Sequence, residues 1–358
     1  MEEINCDVLV VGAGPAGCSA AFFSKLLDLD DKHEVVLLER LNNPKYERYH
    51  YMCGEGVSED LFGDIPPIKP SHIIEKIRKV RDYWPEDITM ESPMKGYIID
   101  RPPFLKGIID QYVRMGGKYI QNSLVDFIEQ EREIKIKTRG GEFWKTKYLI
   151  AADGANSLIR KKLGIVGRVK PLIQYVVDKE SEHDTLIFEY DEKWGGDYKW
   201  TFPHGEMTKV GFPFLKHRER EKIAETILAK QTRMVGFGGI ENTVHGNILL
   251  VGDAACCSNS LTKGGIRPGM VSGKMAAEAI TNEKPLEYLE KWNQSHFASP
   301  LFLQAFERLK DMDNRDLAKH MRPFRHGFSG FSTIKSLLFY REYLELYKAY
   351  NLSNQVGW

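Results

Sequence analysis

Gly12, Gly14 and Gly17 stand in G-x-G-x-x-G spacing, and Glu39 closes the next apolar run, about 20 residues further on. Glycines so spaced let backbone approach a pyrophosphate, and a carboxylate at the later position grips a ribose hydroxyl. The chemistry is capture of an adenine dinucleotide. Two further acids stand beside a glycine, in Asp153-Gly154 and Gly252-Asp253, each after an apolar run, and the second leads on to Gly264-Gly265. Strand-end aspartates of this kind can offer a carboxylate to a ribityl chain, and a helix starting after Gly265 can face a flavin pyrimidine or a phosphate. Each, taken alone, also suits an ordinary turn with an aspartate cap. A third group is aromatic: Tyr198, Trp200 and Phe202 alternate in YKWTFP and therefore share one face of a strand. On residue pattern alone that face is most simply core.

These residues need particular elements beneath them. Residues 8–11 form a continuous apolar run, expected as a parallel strand buried on both faces, and 18–27 a helix of small residues. EVVLLER supplies a second strand ending at Glu39; YLIAAD and GNILLVGD supply strands running into Asp153 and Asp253. GFGGI, at 236–240, has glycines but no buried strand before it and reads as a turn. With no second complete nucleotide fingerprint, electrons must come from a transiently docking donor.

Lys+Arg and Asp+Glu both total 50 in 358 residues, so no global field recruits nucleic acid or an anionic membrane. Cys6, Cys18, Cys53, Cys256 and Cys257 are odd in number and lack C-x-x-C spacing, which predicts reduced thiols in a cytoplasmic chain. His183, His204, His217 and His245 share no ligand spacing, so no metal site is expected. No stretch reaches the roughly 18 apolar residues of a transmembrane helix. FLKHREREKIAETILAKQTR is expected as a charged helix with a solvated face, and RHGFSGFSTIKSLLFYREYL as a packing segment, with bilayer contact its alternative.

The fingerprint, the two Asp-Gly segments and YIIDRPPFLKGIIDQYVRMGGKYIQNSLVDFIEQ together resemble the para-hydroxybenzoate hydroxylase-like FAD superfamily. Inside it, YHYMCGEGVS, YKWTFP and TKGGIRPGMVSGKMAAE resemble the C-[AG]-E-G-[IV] stretch, the Y-x-W-x-F-P motif and the Gly-Gly-Ile turn of the geranylgeranyl reductase family, which includes archaeal digeranylgeranylglycerophospholipid reductases. The resemblance implies FAD as cofactor and saturation of carbon–carbon double bonds in isoprenoid chains. It implies cofactor contacts at Gly12, Gly14, Ala16, Gly17, Glu39, Arg40, Cys53, Gly54, Gly56, Arg101, Val125, Asp153, Gly154, Asp253, Gly264, Gly265 and Ile266. It also turns Tyr198, Trp200 and Phe202 from core into the wall of an apolar substrate tunnel. Cys53, against the flavin, and Tyr198, through its hydroxyl, become the catalytic candidates for moving a proton; a small buried hydrophobe is the other reading of Cys53. Glu55 reads as a solvated loop charge in preference to a proton source. The chain departs from the family at Gly195, where a proline is usual, and at Ser260 and Lys263, which replace a proline and a glycine. Lys263 then either places a charge beside cofactor or head group or is solvated, and a short 164–245 segment implies a shorter tunnel.

The expected fold is α/β: a Rossmann-like FAD domain from 1–67, 99–163 and 241–285, an inserted antiparallel-sheet substrate domain from 68–98 and 164–240, and a helical C-terminal region, 286–358. Expected partners are a prenyl lipid and an external donor (ferredoxin, reduced nicotinamide or reduced deazaflavin), with peripheral membrane contact and no nucleic acid. The competing readings are an FAD monooxygenase acting on an aromatic or polyketide ring, and a non-catalytic flavoprotein.

Overall fold

The computed structural model describes residues 3–130, 133–214, 221–325 and 338–356. Among these, the strands form two sheets of eight. The first contains β1 (Glu3–Val11), β2 (Val35–Glu39), β6 (Lys118–Gln121), β7 (Leu124–Gln130), β8 (Glu133–Thr138), β9 (Phe143–Ala151), β15 (Val244–His245) and β16 (Ile248–Leu250). Its central order, β16-β9-β1-β2-β6, is parallel throughout. The second contains β3 (Gly56–Ser58), β4 (Ile73–Trp84), β5 (Ile88–Ile99), β10 (Arg168–Val177), β11 (Thr185–Glu189), β12 (Lys199–His204), β13 (Met207–Pro213) and β14 (Ile227–Phe237), in the order β14-β10-β13-β12-β11-β4-β5-β3. The helices are α1 (Pro15–Leu26), α2 (Asn43–Tyr51), α3 (Leu61–Asp64), α4 (Arg101–Arg114), α5 (Leu158–Lys162), α6 (Ile266–Thr281), α7 (Leu286–Gln294), α8 (Pro300–Lys310), α9 (Asn314–Met321) and α10 (Leu344–Val356).

The apolar runs of β1, β2 and β9 are buried on both faces, as a parallel sheet covered by helices requires. Each such Val, Leu or Ile contributes roughly 1.5–3 kcal/mol by leaving water. Pro15 presets the first turn of α1, and the small residues that follow let α1 lie close to α6. Gly17 is needed at that spot, since a Cβ there would sit 1.8 Å from the Gly12 carbonyl oxygen.

The second sheet is antiparallel except where β11 runs parallel to β4. Between these two strands the chain passes back through the first sheet, so no hairpin fixes their relative direction. The helix expected over 214–233 is replaced, from 227 onward, by β14, which pairs along β10 as an edge strand. Its exposure alternates at period two, which one-sided cover produces. Residues 215–220 of that stretch, with His217, lie outside the described residues, as do 326–337 of the segment weighed for bilayer contact. Among the described residues no helix is long and apolar enough to cross a membrane, and no cluster of metal-binding side chains occurs. Helices α8–α10 bury Phe302, Phe306, Leu317 and Leu346 against Trp84, Ile88 and Met90 of the second sheet.

Candidate active site

A cavity of about 870 Å³ lies where the first sheet, the second sheet and the C-terminal helices meet. Gly12, Gly14, Ala16, Glu39, Arg40 and Val125 line one part of it; Cys53, Gly54, Gly56, Arg101, Asp153, Gly154, Asp253, Gly264, Gly265 and Ile266 line it further along. Gly17 does not line it, and acts by packing α1 onto β1.

The lining suits a flavin dinucleotide. Two helix N-termini, those of α1 and α6, open on the cavity with glycine at the N-cap and no side-chain cap, leaving backbone N–H groups and the positive ends of both dipoles free for phosphate and pyrimidine oxygens. Glu39 is held by N–H donors from Ala13 (2.8 Å) and Leu41 (2.8 Å), and burial raises its carboxyl. Asp153 accepts from Leu158 N (2.7 Å) with one oxygen and keeps the other buried without a partner. Asp253 accepts from the Ser258 hydroxyl (2.7 Å), and burial raises it as well. Asp153 is therefore a turn cap and cavity lining at once. Arg101 donates twice to the His50 carbonyl (2.8 and 2.5 Å), which fixes the end of α2 before the Cys53 loop.

The aromatic face closes the other part of the cavity. Directly paired residues share a face of a sheet, and one register row runs Gln174, Gly211, Trp200, Phe188, Asp82, Met90 across β10, β13, β12, β11, β4 and β5. All of these but Gly211 line the cavity. Flanking rows add Val80, Leu186 and Phe202 on one side, and Trp84, Tyr190 and Tyr198 on the other. Phe188 meets Tyr198 and Phe202 edge-to-face, at 4.9 and 5.5 Å. The Cys53 loop touches this wall directly, because a Cβ on Gly54 would lie 2.7 Å from the Phe202 ring. Only glycine lets loop and ring approach so closely.

Three residues stand differently from their sequence reading. Glu55 is not solvated: it is fully buried, paired with the fully buried Lys209 and 3.7 Å from His204 Nδ1. Burial raises the Glu55 carboxyl and lowers the Lys209 ammonium, against the pull of each charge on the other. His204 is pushed down to about 3 by burial and by Lys209, so its imidazole is neutral. Lys263 is buried too, 2.8 Å from Asp197 Oδ1 and 4.0 Å above the Phe306 ring, where it ties the 260–265 turn to the wall and to α8. Tyr198, expected to relay a proton, donates its hydroxyl to the Thr262 carbonyl of that same turn. Sequence reading missed Lys209, Arg233 and Asp82. Lys209 was within reach of it: Gly205-Glu206 makes a two-residue hairpin loop that sets Lys209 opposite Phe202.

No family model matches the chain. A digeranylgeranylglycerophospholipid reductase of Methanosphaera stadtmanae is 30% identical over 77% of this chain and 79% of its own length. The chain belongs to the digeranylgeranylglycerophospholipid reductase family. A second relative of that name, from Methanopyrus kandleri, is 29% identical over 87% of this chain and 88% of its own. Among solved structures, a geranylgeranyl bacteriochlorophyll reductase-like protein of Thermoplasma acidophilum superposes with a TM-score of 0.80 at 20% identity, covering 97% of this chain and 100% of that one. Membership of this reductase family makes the chain an FAD-dependent oxidoreductase, in agreement with the cradle described above.

Proposed function

We propose that this chain reduces carbon–carbon double bonds in the isoprenoid chains of a prenyl lipid. One observation carries the proposal: the cofactor cradle and the ring-lined wall bound a single cavity and touch at Gly54 and Phe202. An isoprenoid offers no hydrogen bond, so its site must be apolar, and Val80, Met90, Leu186, Phe188, Trp200 and Phe202 supply such a surface. Reduced FAD, when bound, supplies a hydride.

The protein's own share is positioning, exclusion of water and a proton. Trp200 and Phe202 hold the chain, and Cys53, half-buried in the loop that meets Phe202, lies at the cofactor side. Tyr198 serves as wall and as anchor of the Thr262 turn, its proton already engaged. Electrons arrive from a docking donor of the ferredoxin, nicotinamide or deazaflavin class, and the lipid enters from a membrane surface that the protein meets peripherally. The test is anaerobic incubation of the reduced holoprotein with a geranylgeranyl lipid, read by mass spectrometry. A gain of two hydrogens per double bond is expected; unchanged mass over a panel of prenyl lipids overturns the proposal. Oxygen uptake with reduced nicotinamide, provoked by an aromatic compound, would instead make the chain a monooxygenase.

A further inference from the structure

The cavity holds one carboxyl that the cofactor cradle does not use. Asp82 lies on β4 in the middle of the wall, between Phe188 and Met90 in its register row, and its side chain lines the cavity. No described residue gives it a hydrogen bond or an ion pair, and the half-buried side chain opens on the cavity. The other cavity acids are committed: Glu39 to Ala13 and Leu41, Asp153 to the start of α5, Asp253 to Ser258, Glu55 to Lys209. Resting on the reductase reading, we infer that Asp82 is the acid that protonates the alkene.

In the addition, the hydride supplies both electrons and forms one new C–H bond. The Asp82 O–H bond breaks and its proton forms the second C–H bond on the neighbouring carbon. A carboxylate remains and is reprotonated from solvent between turnovers, so atoms and electrons balance. Strands lie about 4.8 Å apart, so the backbone of Asp82 stands two strands, about 10 Å, from that of Trp200 along the same wall. Its charge is felt at the hydroxyls of Tyr190, Tyr198 and Tyr350. These three, from the ends of β11 and β12 and from α10, are described titratable groups on which its charge acts. Burial holds all three neutral, and His320 behind Tyr350 is neutral as well, pushed down to about 4. Burial lifts the Asp82 carboxyl to about 7, so the proton is present below neutral pH, half-present near neutrality and lost as pH rises further.

The test compares wild type, Asp82→Asn and Asp82→Glu as holoproteins, reduced anaerobically and mixed with geranylgeraniol in detergent micelles. Flavin reoxidation reports turnover, and the spectral shift of the oxidised flavin on adding geranylgeraniol reports binding. Infrared difference spectra across pH report the protonated carboxyl directly. The inference expects Asp82→Asn to slow reoxidation at least about 100-fold with binding within about threefold. It also expects the wild-type rate to fall above pH 7, and a protonated-carboxyl band that titrates near 7 in wild type and is missing in Asp82→Asn. Reoxidation by Asp82→Asn within about fivefold of wild type overturns it and leaves the reductase reading standing. A wild type that reoxidises with no prenyl substrate removes both. Should Asp82→Asn fail to retain FAD, the wild-type band and the displaced pH profile of Asp82→Glu decide; a wild-type carboxyl ionised at pH 6 overturns the inference.

Discussion

At the scale of single residues, the most consequential pair is Glu55 and Lys209, both fully buried behind the Cys53 loop. Lys209 also donates to the Tyr51 carbonyl (2.7 Å) and lies 4.1 Å from the Tyr51 ring centre, so one ammonium holds three parts of the site. Lys209→Met leaves the Glu55 carboxylate buried and unpaired, and should cost about 3–5 kcal/mol in urea unfolding at neutral pH. Adding Glu55→Gln to it should recover most of that loss, because the uncompensated charge is then gone. Equal losses in the single and double variants would mean that the pair contributes nothing as a pair. The residue scale is also where the sequence was least legible. Glu55 reads as solvated because its partner stands 154 positions away, and Asp82 goes unnoticed because only the register across β4 and β11 turns it inward.

At the scale of elements, the β12–β13 hairpin and the Cys53 loop divide the work. Trp200 is half-buried with its Nε1 unpartnered, so it contributes surface rather than a hydrogen bond. Trp200→Ala should weaken geranylgeraniol binding about 30- to 100-fold at unchanged FAD content, in line with the loss of about 100 Å² of apolar contact at about 25 cal/mol per Å². Loss of FAD instead would move Trp200 from the substrate wall to the cofactor. The elements themselves were largely legible. The β1–α1–β2 unit follows from periodicity and glycine spacing, and β12 from its alternating rings. Residues 227–233, the end of the charged stretch expected as a helix, form part of β14, because a high density of Lys and polar residues suits a helix face and an exposed edge strand alike.

At the scale of the whole molecule, the cavity draws its lining from both sheets and from α8, α9 and α10 through Leu309, Met321 and Tyr350. A ligand bound there ties all these parts to one another. FAD at about 100 times its dissociation constant should stabilise the stripped protein by about 2.7 kcal/mol. Far-ultraviolet and tryptophan-fluorescence melting curves should shift together; a shift in only one would show that the sheets unfold independently. This joint architecture was legible only through family resemblance, since no local pattern says that α10 reaches a cavity walled by β4. The hairpin carries a last consequence, for chain length. Tyr198, Trp200 and Phe202 face inward by parity alone, and Lys199 and Thr201 occupy the opposite parity. A single residue inserted ahead of Tyr198 and carried through the pairing would present an ammonium and a hydroxyl to the lipid and turn three rings toward the other side. Homologues can therefore exchange side chains freely along this strand, but can lengthen or shorten it only in steps of two.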